Sequence, residues 1–350
     1  MRENKHAYVC IMAGGSGERF WPMSRRRTPK HLLKLFSNRT LVEETVRRLE
    51  GVVPLGNVFV LTNEAQLSGT RAALPFLPPE QIIAEPAKRD TAPAAALAAG
   101  LVRVRDPEGV LALLPADALI KDTATFARQL AGAMQRAALG RALLTFAIKP
   151  THPATGFGYL EMAEPVGDGF RRVARFVEKP DLPTAQRYLA GGNHAWNAGM
   201  FIWQVSTFLA EAERQAPALA AFIRDFPSGA PTAYLAARFP ALPKISVDYA
   251  IMERAAAVET LVAEFDWDDV GTWTALAAHL PADTQGNTTR GAVVIQDAAN
   301  NIAISNGRVI ALCGVKDLVV VETPDGVLVC HRDAVQDIKH LIPKLPPAVL

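Results

Sequence analysis

The sequence predicts an α/β fold built on a mainly parallel sheet, followed by a small β domain. Three observations carry this. Apolar runs of strand length that do not alternate recur at 8–12 (YVCIM), 57–62 (NVFVLT), 110–114 (VLALL) and 142–148 (ALLTFAI), the pattern of strands covered on both faces. Helical stretches separate them, which favours parallel connections. From about residue 282, helical periodicity gives way to short β-type runs divided by Asn, Gly and Asp.

Composition bounds the rest. A chain of 350 residues suits one large domain or two, and 49% apolar residues supply a substantial core. Lys and Arg number 37 against 35 Asp and Glu, for a net charge of +2, which argues against broad nucleic-acid binding. No run of 18 apolar residues and no signal-peptide pattern occurs, so no membrane partner and a cytoplasmic location are expected. Cys10, Cys313 and Cys330 lack metal-ligand spacing and each sits in a β-type apolar run; all three are expected as buried free thiols in a reducing compartment.

In chain order, the first strand ends at Ala13 and breaks into Gly14, Gly15, Ser16 and Gly17. Arg19, Arg25, Arg26, Arg27, Lys30, His31 and Lys34 follow, with no acid between Arg19 and Lys34. A buried strand entering a glycine turn followed by cations is a way to hold a phosphate against bare backbone N–H groups. Gly15-x-Gly17-x-x-Phe20 lacks the third glycine of a dinucleotide fingerprint, and no GxxxxGK[ST] occurs. Pro29 restricts the backbone just before Lys30.

A helix is expected over 40–49, with Leu41, Thr45 and Leu49 on one face, then a strand at 57–62 and a short one at 81–84 before Glu85. An alanine-rich helix over 90–101 takes Asp90 or Thr91 as N-cap, with Pro93 in its first turn. The strand at 110–114 ends in Pro115-Ala116-Asp117, and a helix over 125–139 leads to the strand at 142–148. The segments 156–159 (GFGY), 176–180 (FVEKP) and 195–203 (AWNAGMFIW) are expected as short strands and turns walling a pocket rather than as packed core. Helices over 206–216, 217–226 and 247–257 precede a strand at 261–265 and the acidic run Asp266-Trp267-Asp268-Asp269. The β domain has runs at 292–295, 302–305, 309–312, 318–321 and 327–330 and a terminal helix near 333–341. The expected division is 1–283 and 284–350.

Several residues carry candidate chemistry. Asp117 follows a buried strand at its carboxyl end, where open α/β sheets bind ligands, and Asp269 lies in a polar cluster flanked by Phe265, Trp267 and Trp273. Hard oxygen donors at two such places suit Mg²⁺, although a lone aspartate after a strand is also a common cap or turn residue. Glu178, Lys179 and Asn197 offer donors and acceptors for a sugar and a cation for its phosphate. Their ordinary alternatives are an exposed ion pair and a turn Asn before Gly199. Glu85 with Arg89 and Asp90 suits a base edge such as guanine's, whose N–H donors need an acceptor; Asp90 also serves as a helix cap. The 7 histidines show no HxH or HExxH spacing, and no Ser/His/Asp set is legible.

Assembled, these residues resemble the microbial mannose-1-phosphate guanylyltransferases (GDP-mannose pyrophosphorylases) of the sugar-nucleotidyltransferase family. Gly14-Gly15-Ser16-Gly17-Glu18-Arg19-Phe20-Trp21-Pro22-Met23-Ser24-Arg25 with Pro29-Lys30 is similar to the family's opening signature. Glu85-Pro86, Arg89-Asp90-Thr91-Ala92-Pro93, Pro115-Ala116-Asp117, Gly156-Phe157-Gly158-Tyr159, Phe176-Val177-Glu178-Lys179-Pro180, Trp196-Asn197-Ala198-Gly199 and Asp269-Val270-Gly271-Thr272-Trp273 match later motifs in order. Asp90 stands where Asn is common, and Thr272 where Ser is common. The resemblance implies a Rossmann-like catalytic domain with a left-handed β-helix-like appendage, a homodimer, and GTP and mannose 1-phosphate as substrates with Mg²⁺ as cofactor. It further implies that Arg19 and Lys30 serve the leaving pyrophosphate and that Asp117 and Asp269 hold the metal. Ala13, Gly14, Gly15, Ser16, Gly17, Glu85, Arg89 and Asp90 would bind the nucleotide; Gly158, Glu178, Lys179 and Asn197 the sugar phosphate. Some relatives carry an additional cupin-like isomerase domain, and that second activity is expected to be absent.

Overall fold

In the computed structural model, which describes residues 5–15 and 17–350, the first strand β1 (Ala7–Met12) is buried along almost its whole length, as its unbroken apolar run requires. It is followed by α1 (Leu41–Arg47), β2 (Val58–Asn63), α2 (Glu64–Ala73), β3 (Ile82–Glu85), α3 (Thr91–Arg105), β4 (Val110–Pro115), α4 (Thr123–Ala137) and β5 (Leu143–Ile148). Next come the hairpin β6 (Tyr159–Gly167) and β7 (Phe170–Val177), α5 (Leu182–Gly191), β8 (His194–Gln204), α6 (Val205–Gln215), α7 (Pro217–Arg224), α8 (Thr232–Arg238), α9 (Val247–Ala250), β9 (Val258–Val262) and α10 (Trp273–Ala277). The sheet order is β3-β2-β1-β4-β8-β5-β9-β7-β6. The β3-β2-β1-β4 half is parallel throughout. β8 then enters antiparallel to both β4 and β5, so the second half is mixed.

Helices cover both faces. One core sets α3, α6 and α7 against the sheet, and the other sets α1 and α4 against its opposite face. The alanines of α3 are almost all buried; small side chains let that helix lie close to its neighbours, and a Cβ at Gly100 would fall 2.5 Å from Phe226. Because β2 and β3 extend to one side of β1 and β4 lies on the other, the chain reverses direction beside β1. The crevice at the carboxyl ends of β1 and β4 is where such a fold opens to ligands.

Past α10 the architecture changes to stacked parallel pairings: β10 (Thr288–Arg290), β12 (Ile302–Ile304) and β14 (Leu318–Thr323) in one sheet, β11 (Val293–Gln296) and β13 (Ile310–Cys313) in another. β15 (Gly326–His331) closes the first sheet antiparallel to β14, and the chain ends in short helical turns including α11 (Ile338–Leu341). This domain is not a free appendage. Ile302, Ile304, Val319, Val321, Val335 and Ile338 share one core with Phe20, Trp21, Leu33 and Trp273.

Several expectations need correction. The segment 195–203 is not made of short pieces: it forms most of the 11-residue β8, whose Trp196 lines a cavity as expected while Trp203 is fully buried in the core. The helix expected over 247–257 stops after Ala250: Ile251 leaves the helical backbone region (φ −131°, ψ −58°), and a short 3-10 turn follows over Met252–Arg254. The strand expected at 261–265 lies earlier, at Val258–Val262. Cys313 is exposed and Cys330 only partly covered, so only Cys10 is a buried thiol. β13 alternates, with Ile310 and Leu312 inward and Ala311 and Cys313 outward, because that sheet has one wet face. Among the described residues, no helix is long and apolar enough to cross a membrane.

Candidate active site

The glycine loop folds back onto Lys30. Gly17 has φ +60°, and a Cβ there would fall 2.5 Å from the Lys30 Cβ and 2.7 Å from its backbone nitrogen, so this position admits only glycine. Ser16 lies outside the described residues. Gly14, Gly15 and Gly17 line a cavity of about 340 Å³ at the carboxyl ends of β1 and β4, with Glu85, Lys88, Asp90, Thr91, Asp117 and Lys244. Ala13 is buried beneath it; its N–H donates to the Leu61 carbonyl (2.7 Å) and its carbonyl accepts from Thr62 Oγ1 (3.1 Å), so it supports the loop rather than facing the cavity.

Burial and the nearby Asp90 push the Glu85 carboxyl up to about 7. Asp90 does both things foreseen for it: it lines the cavity, and its Oδ1 accepts the Thr91 N–H at 3.0 Å as the cap of α3. Arg89 is a correction. Its guanidinium donates to the Pro240 carbonyl and it does not line this cavity; Lys88 does.

A second cavity, of about 380 Å³, adjoins the first along Gly17, Lys30 and Asp117 and is also lined by Arg19, Asp269 and Lys339. Lys30 stands at this junction, almost fully buried. Its Nζ lies 2.9 Å from Asp117 Oδ2 and also donates to the Asp269 carbonyl. Within the acidic run, Asp266 accepts the backbone N–H groups of Lys121 (2.9 Å) and Asp122 (2.7 Å), and Asp268 holds the Val270 N–H (2.6 Å) and His279 Nε2 (2.8 Å). The Asp269 carboxylate takes no hydrogen bond among the described residues. Burial raises its pKa, Lys30 opposes that, and Asp268 and Asp117 add to it. His31, beside Lys30, is held neutral by burial, with its pKa lowered to about 4.

A third cavity, of about 940 Å³, shares Arg19, Asp269, Gly271 and Lys339 with the second. Phe157 contributes to its wall, packed edge-on against Trp196 (5.0 Å) and Trp267 (5.6 Å). Of the four residues expected to bind the sugar phosphate, Lys179 lines this cavity. The four are nonetheless gathered. A Cβ at Gly158 would fall 2.5 Å from Glu178 Oε2 and 3.7 Å from the Asn197 Cβ, and Lys179 Nζ is 2.8 Å from Glu178 Oε1. Asn197 Oδ1 accepts from Thr145 Oγ1 (2.9 Å) and the Gly199 N–H (3.2 Å), while Nδ2 donates to Asp248 Oδ1 (2.9 Å). That leaves Asn197 one free N–H. Burial and Glu178 push the Asp248 carboxyl up to about 6.

Sequence reasoning missed Asp248, Lys88, Lys244 and Lys339. Asp248 was hidden in an expected helix, and Lys244 sits in a proline-bearing stretch without periodicity. Lys88 was passed over for its neighbour.

A nucleotide-sized crevice at the switch point of an α/β sheet, with cations and two aspartates at its phosphate end, defines a nucleotidyltransferase-type site. The chain belongs to the nucleotidyl transferase family, whose model matches residues 8–286; a second model, the MannoseP isomerase/GMP-like beta-helix domain, matches residues 291–345. It is 38% identical over 344 residues to the xanthan biosynthesis protein XanB of Xanthomonas campestris pv. campestris, covering 97% of this chain and 73% of that one. It is likewise 38% identical over 352 residues to the mannose-1-phosphate guanylyltransferase of Escherichia coli K12, with coverage of 97% and 73%. A crystal structure described as mannose-1-phosphate geranyltransferase from Thermus thermophilus superposes with a TM-score of 0.88 at 32% identity, covering 97% of this chain and 99% of that one. The resemblance carried by the opening signature and the ordered later motifs therefore holds over nearly the whole chain.

Proposed function

We propose that the protein transfers GMP from GTP to α-D-mannose 1-phosphate, giving GDP-mannose and pyrophosphate. The observation that carries this is the row of three adjoining cavities with Lys30 and its two aspartates at the first junction. The first cavity suits the nucleoside, the second the β- and γ-phosphates, and the third the acceptor sugar phosphate. The relatives named as mannose-1-phosphate guanylyltransferases support the choice of substrates.

An oxygen of the sugar phosphate attacks the α-phosphorus in line, and the bond to the bridging oxygen of pyrophosphate breaks. The nucleophile is already an anion near neutral pH, so no general base is required. Positioning and charge neutralisation are the whole task. Lys179 would hold the acceptor phosphate, Glu178 with Asn197 and Asp248 the sugar hydroxyls, and Glu85 the guanine N–H donors.

Asp117 and Asp269 fit a Mg²⁺ ion. The Lys30 ammonium already lies against the Asp117 carboxylate and the Asp269 backbone carbonyl, and the Asp269 carboxylate is left without a hydrogen bond among the described residues, free to take a cation. No group of three or more His, Cys, Asp or Glu is placed to hold a metal alone among the described residues, and Mg²⁺ commonly takes one or two carboxylates and completes its shell with phosphate and water. When bound, the ion would neutralise phosphate oxygens as the two anions meet. A homodimer belongs to the same reading and rests on the family resemblance; a cytoplasmic location rests on the sequence pattern.

The test is pyrophosphate release with Mg²⁺ from GTP, UTP, dTTP and ATP, each paired with mannose 1-phosphate and glucose 1-phosphate. GTP with mannose 1-phosphate is expected to exceed every other pair in kcat/KM by at least about tenfold. Equal turnover with UTP and glucose 1-phosphate would sink the assignment.

A further inference from the structure

We propose that Lys339, on the last helix of the β domain, binds the pyrophosphate end of the triphosphate, so that the β domain completes the nucleotide site. This rests on the transfer reaction proposed above. A leaving pyrophosphate is a polyanion and needs cations that are not already neutralised within the protein. Lys30 is not one of these, because it is buried against Asp117 and the Asp269 carbonyl. The phosphate-side cavity carries Glu18, Asp117 and Asp269 against Arg19, Lys30 and Lys339. Without Lys339 the lining bears three acids and two bases, so even with a divalent ion on Asp117 and Asp269 it would carry little net positive charge to hold a polyanion.

The placement of Lys339 is built rather than incidental. Its neighbour Ile338 is buried with Val335 in the core formed by Phe20 and Trp273, directly behind the loop that bears Arg19. Trp21 Nε1 donates to the Val349 carbonyl (2.9 Å), and Arg25 pairs with Asp325 (2.7 Å). Arg290 Nη1 donates to the Lys34 and Leu35 carbonyls, both at 3.1 Å. The β domain thus grips the same segment that supplies the loop's cations, from both ends. Lys339 itself is exposed and makes no hydrogen bond or ion pair among the described residues, and it lies on the edge shared by the second and third cavities with Arg19, Asp269 and Gly271. Pyrophosphate departing from the α-phosphorus would meet it on the way to solvent.

The experiment measures binding of inorganic pyrophosphate with Mg²⁺ by calorimetry to the full chain and to Lys339→Ala and Lys339→Arg, together with forward kinetics. Lys339→Ala is expected to weaken pyrophosphate binding about tenfold and to lessen its salt dependence, with recovery in Lys339→Arg. The melting temperature should not move, since the side chain is exposed, and the KM for mannose 1-phosphate should change less than the pyrophosphate affinity. Unchanged pyrophosphate affinity in Lys339→Ala, or an effect confined to mannose 1-phosphate, would overturn the inference. Lysine-dependent pyrophosphate binding in a protein that does not turn over GTP with mannose 1-phosphate would uphold the inference and overturn the substrate assignment instead.

Discussion

The two ends of the site are built by different means. The nucleotide end is made of backbone and strand ends: Gly14, Gly15 and Gly17 follow directly on β1, and Glu85 and Asp117 stand at the ends of β3 and β4. The acceptor end is made of groups drawn from separate segments: Gly158 leaves room for Glu178, which pairs with Lys179, and a chain of hydrogen bonds runs from Thr145 through Asn197 to Asp248. A phosphate needs N–H groups and charge, which a turn supplies locally. Sugar hydroxyls need donors and acceptors at several angles, which no short segment can supply. The glycine loop of the nucleotide end should therefore be intolerant of backbone change, and the acceptor end of side-chain change.

The largest effect should come where the two ends meet. Asp117→Ala or Asp269→Ala is expected to lower kcat at saturating Mg²⁺ by at least about 10²–10³-fold, with the melting temperature held within a few degrees. Near-normal turnover in either would remove that aspartate from the metal locus. At the acceptor end, Asp248→Ala removes the acceptor of the Asn197 Nδ2–H and should raise KM for mannose 1-phosphate about tenfold while leaving KM for GTP in place. A rise in KM for GTP instead would dissolve the distinction between the two ends.

The smallest effect concerns pH. Glu85 has a folded pKa of about 7, above its ordinary value of 4.5, because burial disfavours the ionised form. Its contribution to stability is therefore complete below pH 4.5 and is lost as the pH rises through about 7. Glu85→Gln should leave stability unchanged at pH 4.5 and add about 1–2 kcal/mol at pH 8, read by denaturant unfolding. In the wild-type protein, GTP affinity should improve as the pH rises through about 7, since the ionised carboxylate accepts from guanine, and the Gln variant should lose that dependence. A flat wild-type profile would take Glu85 off the base edge.

Legibility in the sequence follows the same division. β1, β2, β3 and β4 were each marked by an unbroken apolar run, and Asp117 by its place after one of them. α2 left no such mark, because its buried side uses Gln66 and Thr70 rather than apolar residues. The hairpin of β6 and β7 left little more, its outer half being exposed and interrupted by Pro165. Asp269 could be picked from the aspartates of the acidic run only by its neighbours in the pattern; the structure adds the reason, that Asp266 and Asp268 are engaged in holding loops.

The sequence by itself determined the α/β class, the glycine turn with its cations, the strand-end aspartate and the family, because these are local patterns: hydrophobic period, turn chemistry and motif order. The tertiary structure alone decided which charges are free. It buries Lys30 between two aspartates, turns Arg89 aside in favour of Lys88, sets Asp248 against Asn197, and carries Lys339 from the far end of the chain to the phosphate cavity. The physical reason is that a charge's role depends on what lies within a few ångströms of it, and that neighbourhood is set by packing between segments far apart in the chain.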